Sequence, residues 1–373
     1  MRVAFYAPLK PPNHPVPSGD RRMARLLLEA IRRSGNETFV ASSLRAFDGA
    51  GDAQRQRRIR RRGEALAQRF IVKNRDNPPD IWFTYHLYHK APDWIGPLVC
   101  DTFSIPYIVA EASISPKQTG GPWAEGLAAV LAGVRRAKRI IVLNPDDREC
   151  IDPVVGPAGR SVTLPPFINT APPRQAASDR QHHRDILAAR YGIDPGALWI
   201  AVSAMMRYGD KLESYRILGR TMQQLYDLPL RWLVAGNGPA RREVEALLGH
   251  GNVTFLGALD RKDMDALHAA ADIAVWPAIR EAFGMAMLEA QAAGLPVIAG
   301  RSPGVAQIVA DGETGLLTPS GDTITMAAAI RTLFKNPEQR LKMGQAAMQK
   351  AEREHDIIAA AARIGLLLRE AAA

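Results

Sequence analysis

The feature that most narrows the fold is a rhythm that runs twice along the chain. A short apolar run is followed by a longer stretch with helical spacing, and then by another short apolar run. In the first half, Arg2 to Tyr6, Ile81 to Tyr85, Tyr107 to Ala110 and Ile140 to Leu143 read as short buried strands. After the first of them, Met23, Leu26, Leu27, Ala30 and Ile31 recur at helical spacing, with Asp20 placed to cap that helix. Pro165-Pro166, Pro172-Pro173 and the polar stretch Gln175 to Arg184 break the rhythm and read as a linker. It restarts with strands at Leu198 to Ser203, Leu230 to Ala235, Val253 to Leu256, Ile273 to Trp276 and Pro296 to Ala299.

Strands alternating with helices predict a parallel sheet covered on both faces. Two such series predict an α/β protein of two doubly wound, Rossmann-like domains. The expected boundaries are 1–168 for the first domain, 169–194 for the linker, 195–352 for the second domain and 353–373 for a closing helix. With 373 residues, the chain suits two domains of about 100–200 residues each. Hydrophobic residues at 47% and charged residues at 23% allow each half its own core.

A formal net charge of +10 favours acidic partners such as nucleotides, nucleic acid or an anionic membrane, without choosing among them. The basic residues crowd one segment: Arg55, Arg57, Arg58, Arg60, Arg61, Arg62, Arg69, Lys73 and Arg75. This is either a solvated helix or a surface for anionic lipid or an acidic acceptor. Few apolar residues lie between the arginines, which argues against deep insertion. Cys100 and Cys150 have no Cys-x-x-Cys spacing, which fits a reducing cytoplasm. The opening MRVAFYAPL reads as a strand rather than a leader, and no run approaches the ~18 apolar residues of a membrane span. The expected location is cytoplasmic, with peripheral contact at the inner membrane face through Arg55 to Arg75 left open.

In open parallel sheets ligands bind beyond the carboxyl ends of the strands, and with two domains the cleft between them is the expected site. The segment AIREAFGMAMLEAQAAGL, Ala278 to Leu295, runs from a strand end into a helix starting near Phe283. Backbone N–H groups at Phe283, Gly284 and Met285, with the helix dipole, favour an anion, and a diphosphate is the obvious candidate. Glu281 and Glu289 bracket the turn; on a continuous helix eight residues would span about 12 Å. Carboxylates beside a diphosphate serve as acceptors for hydroxyls, one set at each end. Gly236-Asn237-Gly238 forms a tight turn after another strand. Arg207 and Lys211 follow a third strand, where both can stabilise charge on a leaving diphosphate.

From about Leu198 to Ser320 the chain resembles the carboxyl domain of glycosyltransferase family 4, retaining enzymes of the GT-B fold. The resemblance rests on NVTFLGALD and on ADIAVWPAIREAFGMAMLEAQAAGLPVIAGRSPGVAQIVADGETGLL. The amino-terminal half matches more loosely, in strand rhythm and in PSGDRRMARLLLEAI. The resemblance implies two facing domains around a cleft and a last helix that returns to the first domain. It implies that Glu281 holds sugar hydroxyls and Glu289 the ribose hydroxyls. The amides from Phe283 to Met285 would meet the diphosphate and sugar, and Arg207 and Lys211 would bind the diphosphate. Gly236, Asn237, Gly238 and Gly257 fall on the donor side; Ser18, Gly19, Asp20, His86 and Glu111 fall on the amino-terminal, acceptor side. The implied donor is a UDP- or GDP-sugar, with no metal or other cofactor. The implied acceptor is a hydroxyl of an unidentified small molecule, lipid or cell-envelope glycan.

The sequence departs from the family pattern in four places. The usual Arg-to-Lys separation is one residue longer. The amino-terminal glycine pair is reduced to Gly19. Glu111 and Ser113 stand where a His is common, and Gln307 replaces a Glu after the Pro-Gly turn. A nucleotide-sugar epimerase on the same fold and a non-catalytic nucleotide-sugar binder remain alternatives. Asp263-Met264-Asp265 reads as helix-start acids rather than a metal motif. His86 and His89 could share a helical face but lack a third ligand, and His86 is the better placed to line an acceptor site. No Gly-x-Gly-x-x-Gly follows the first strand, against a nicotinamide dehydrogenase. Nucleic-acid binding rests on charge alone and is not expected.

Overall fold

A computed structural model describes residues 1–16, 18–156, 160–249 and 251–373. The chain divides into two units, Met1–Pro165 with Ile357–Ala373, and Pro166–Asp356. The first crossing falls inside the Pro165-Pro166 pair.

Unit 1 holds six parallel strands: β1 (Arg2–Tyr6), β2 (Glu37–Ser42), β3 (Ile81–Tyr88), β4 (Tyr107–Ser113), β5 (Arg139–Val142) and β6 (Ser161–Thr163). Their order is β2-β1-β3-β4-β5-β6. Helices α1 (Gly19–Arg33), α2 (Ala53–Lys73), α3 (Gly96–Phe103), α4 (Ala124–Arg136) and α5 (Arg148–Val155) connect them. The central strands are apolar on both faces, as a covered parallel sheet requires: Val3, Ala4, Phe5 and Tyr6 are all fully buried. β2 and β6 are edge strands that the apolar rhythm does not reveal. ETFVAS is half solvated and SVT has only three residues. The N-cap of α1 is Ser18, whose Oγ accepts from Arg21 N at 3.2 Å, not Asp20 as expected. Asp20 lies one residue inside the helix, and its carboxylate turns to His86 instead.

Unit 2 begins where a linker was expected. Residues 169–194 instead contain α6 (Ala171–Ser178) and α7 (Arg180–Tyr191), both part of this unit. Further helices are α8 (Asp210–Gln223), α9 (Arg241–Leu248), α10 (Arg261–Ala270), α11 (Met285–Ala292), α12 (Pro303–Ile308), α13 (Thr323–Lys335) and α14 (Pro337–His355). α15 (Ile357–Ala372) belongs to unit 1 and packs on α1. The reason for the linker error is physical. Arg184 is polar in sequence but buried in place, because it answers the Ala270 carbonyl at the end of α10 and carbonyls of the loop at Pro195 and Ala197. It donates to Ala270 O at 2.6 Å, Pro195 O at 2.9 Å and Asp272 Oδ2 at 3.1 Å, and stacks on Trp199. Arg180 adds bonds to Asp272 at 2.6 Å and Ala269 O at 2.9 Å.

The second sheet contains β7 (Leu198–Ser203), β8 (Leu230–Ala235), β9 (Val253–Gly257), β10 (Ile273–Trp276), β11 (Val297–Gly300) and β12 (Gly315–Thr318), all parallel. The order is β12-β11-β10-β7-β8-β9. Chain order reverses between β7 and β10 here and between β1 and β3 in unit 1, and at such switch points the loops diverge and leave a crevice. Among the described residues no helix is long and apolar enough to cross a membrane.

Removing the buried guanidinium that donates to the Pro195, Ala197 and Ala270 carbonyls takes that donor from all three, while Asp272 keeps Arg180. Arg184→Ala is expected to lower unfolding free energy by about 3 kcal/mol in a urea titration. An unchanged midpoint would mean that α7 contributes nothing to this unit.

Candidate functional site

At the switch point of unit 2, the loop after β7 and the loop after β10 meet. Lys211, in the first turn of α8, forms an ion pair with Glu281. Trp276 Nε1 donates to the same Glu281 oxygen at 3.3 Å, and the Lys211 ammonium lies 5.3 Å from the Trp276 ring centre. Tyr215 packs edge-on against Trp276. The pair is therefore braced on an aromatic base, yet both members keep access to solvent, with side chains 33% and 20% exposed.

The loop carrying Glu281 is strained. Ala278 and Arg280 adopt positive φ values of 56° and 45°, unusual for residues with a Cβ. Hydrogen bonds hold the strain in place. Ile279 N donates to Ser214 Oγ at 3.1 Å and Ser302 Oγ donates to Glu281 O at 3.0 Å, while Arg280 pairs with Asp210. Gly304 matters here because a Cβ on it would lie 1.8 Å from Ala282 O; only glycine lets α12 press against the turn.

α11 starts at Met285 with Gly284 as its N-cap at φ 67°. The helix thus begins later than the sequence suggested, and Glu281 lies in the turn before it rather than on a continuous helix. Phe283 is half-buried just ahead of the cap. The first-turn amides of α11 and its dipole give this end positive potential, which suits an anion. Glu289, inside α11, is 4% exposed and accepts from Arg261 Nη1 at 3.1 Å. Arg261 also donates to Asp265 at 3.0 Å. Arg261 escaped the sequence reading because it sits among helix-start charges. Those charges have structural duties: Asp260 caps α10 by accepting from Asp263 N, and Asp265 pairs with Arg261.

The glycines after β8 have a packing role. A Cβ on Gly236 would lie 1.9 Å from Ala204 O, and one on Gly238 would lie 2.2 Å from Met206 O. Met206 N donates to Asn237 O at 3.1 Å, and Gly236 N donates to Gly257 O at 2.8 Å. Gly236, Asn237, Gly238 and Gly257 thus hold the loop that carries half-buried Arg207. The structure brings Lys211 to Glu281 and Arg261 to Glu289.

Unit 1 has its own cluster at the carboxyl edge of four neighbouring strands. Ser18 and Gly19 open α1 and carry Asp20; Pro17 lies outside the described residues. His86 is on β3 and Glu111 on β4, so both strands run further than expected, and His86 and His89 do not share a helical face. His86 Nδ1 lies 3.2 Å from Asp20 Oδ1 and 3.9 Å from Glu111 Oε1. Asp147, ending a short turn after β5, acts on both His86 and Glu111 through its charge. Sequence reading missed Asp147, which carries no motif. Burial disfavours the imidazolium of His86, but Glu111, Asp20 and Asp147 together outweigh it and raise the pKa to about 9. Burial, opposed by His86, pushes Glu111 up to about 7 and Asp147 up to about 6.

A pKa raised from 6.5 to about 9 means that His86 stabilises the fold fully below pH 6.5 and that this contribution is lost as pH rises through about 9. NMR titration of His86 is expected to place its midpoint near 9, and Asp20→Asn is expected to lower it. A midpoint near 6.5 in the wild type would show that the carboxylates do not hold the proton.

Residues 214–350 match the family described as "Glycosyl transferases group 1". A D-inositol 3-phosphate glycosyltransferase of Corynebacterium glutamicum is 36% identical over 155 residues, which are 39% of this chain and 37% of that protein. The chain thus spans a little over a third of that relative. Among solved structures, sucrose-phosphate synthase from Thermosynechococcus elongatus superposes with a TM-score of 0.75 at 20% identity, covering 99% of this chain and 98% of that one. Anabaena HepE in complex with UDP superposes with a TM-score of 0.75 at 16% identity, covering 99% and 100%. The two sheets are those of the GT-B glycosyltransferase fold.

Proposed function

We propose that this chain, whose residues 214–350 match the group 1 glycosyltransferases, is a family 4 retaining enzyme that moves a sugar from a UDP- or GDP-sugar to an acceptor hydroxyl. The observation that carries this reading is the Lys211–Glu281 pair at the switch point of unit 2, next to the N-terminus of α11. UDP is the favoured nucleotide because the Anabaena neighbour was solved with it. In this reading the diphosphate rests on the amides around Gly284 and Met285 and on Lys211 and Arg207. Glu281 accepts from sugar hydroxyls. Glu289 exchanges Arg261 for the ribose hydroxyls or keeps it as a brace.

The reaction then needs charge stabilisation more than a nucleophile. The bond from the anomeric carbon to the phosphate oxygen breaks, and its electron pair leaves with the diphosphate. The acceptor oxygen bonds to the anomeric carbon on the same face, and its proton passes to the leaving phosphate. Lys211, Arg207 and the α11 terminus offset the growing negative charge without requiring a metal. The acceptor is a hydroxyl-bearing molecule. Arg57, Arg58, Arg61 and Arg62, exposed along α2, would serve an anionic leaflet or an acidic acceptor at the inner membrane face.

Glu281→Ala is expected to lower kcat by about 10²–10³-fold while nucleotide binding largely survives, and Glu289→Ala to raise the donor KM by about tenfold. Steady-state assays of sugar transfer check both. Full turnover in Glu281→Ala refutes the assignment, and a sugar isomerised from donor alone would point to an epimerase.

A further inference from the structure

Strand β10 ends on Trp276, a residue only 5% exposed that lies against the Lys211–Glu281 pair. A buried indole needs an acceptor for its one N–H group. Elsewhere in the chain that acceptor belongs to the framework. Trp123 and Trp199 donate to the carbonyls of Asp48 and Asp194, and Trp82 donates to buried Asp93. Trp276 Nε1 instead donates at 3.3 Å to Glu281 Oε2, on a carboxylate that keeps access to solvent. The chain between the two residues passes through left-handed Ala278 and Arg280, which return it to the strand end.

Trp276 touches both members of the pair. Lys211 Nζ binds the same oxygen, Oε2, and lies 5.3 Å from the centre of the indole. The ring is fixed in turn by Tyr215, whose ring centre lies 5.0 Å away at an interplanar angle of 77°. Tyr215 is fully buried, and its hydroxyl donates to Ala204 O at 2.8 Å in the loop after β7. One carboxylate oxygen thus has two donors of different kinds. The first is a charged ammonium on a flexible stem, and the second is a neutral N–H on a ring that cannot move.

We infer that Trp276 is a positioning residue for Glu281: its N–H holds Oε2 in place when Lys211 turns to the diphosphate, so that Oε1 meets a sugar hydroxyl. An incoming diphosphate carries more negative charge than one carboxylate and draws the ammonium to itself. The indole is uncharged and packed on Tyr215, so it stays. Without it, the carboxylate would swing after Lys211 and remain paired with the ammonium rather than with the sugar. The part of this role that concerns the sugar rests on the glycosyltransferase reading; the hold of the indole on the carboxylate does not.

Trp276→Phe keeps an aromatic ring beside Lys211 and Tyr215 but removes the N–H donor. In sugar-transfer assays of the full chain it is expected to lower kcat about tenfold, as loss of one hydrogen bond to a carboxylate does, with the donor KM changed by less than about twofold. In a Glu281→Ala background the same change is expected to lower kcat by less than about twofold further, because the two residues act through one bond. A second measurement needs neither transfer nor the Trp276 variant. In proton–nitrogen NMR of the wild type, the Trp276 indole N–H is assigned through its contact with the Tyr215 ring. Its proton resonance is expected to move upfield in Glu281→Ala and to stay downfield when UDP is added. An unchanged kcat in folded Trp276→Phe overturns the inference, as does an equal loss in the Glu281→Ala background. So does an indole resonance that ignores Glu281→Ala, or one that moves upfield with UDP. If the wild type transfers no sugar, the glycosyltransferase reading falls and the NMR measurement still decides whether the indole holds Glu281. If Trp276→Phe transfers sugar as well as the wild type, the inference falls and that reading stands.

Discussion

A parallel sheet directs the carboxyl ends of all its strands to one edge, and where chain order reverses the two adjacent loops part. In unit 2 that gap lies between β7 and β10, and the Lys211–Glu281 pair spans it. Much of the surrounding structure serves to keep these loops in place. Gly236 and Gly238 let the loop after β8 press on the one after β7, and Gly304 lets α12 press on the turn after β10. Ser214 and Ser302 satisfy the backbone of that turn where Ala278 and Arg280 are strained. The strain persists because the neighbours determine the path of the chain from several sides.

The two units use the same topological device with opposite charge. In the proposed reading of unit 2, an ammonium, an arginine and a helix N-terminus offer positive potential to an anionic ligand, with carboxylates set to receive hydroxyls. In unit 1, three carboxylates surround one imidazole. Fold alone therefore does not set chemistry; the side chains delivered to each switch point do.

The interior strands were legible in the sequence because both faces are buried, which writes them as unbroken apolar runs such as RVAFY and IAVW. The edge strands β2 and β6 were not, since a half-solvated strand of mixed residues looks like a loop. The stretch around Arg180 and Arg184 was misread for a related reason: arginines that answer the carbonyls at the end of α10 look like a solvated linker until α10 is placed beside them. Glu281 and Glu289 could be singled out because their spacing brackets a glycine turn. Lys211 could be singled out by its place after a strand, but its pairing with Glu281, seventy residues away, could not, nor could Arg261, twenty-eight residues from Glu289. Asp147 reaches His86 only through the order of strands, which no local pattern reveals.

The central claim is that the crevice at β7 and β10 receives a nucleoside diphosphate. A crystal structure with bound UDP tests it most directly. The account predicts phosphate oxygens on the amides around Gly284 and Met285 and on Lys211, with the ribose hydroxyls at Glu289. UDP bound elsewhere, with Glu281 still closed on Lys211 and no ligand at the start of α11, would contradict it.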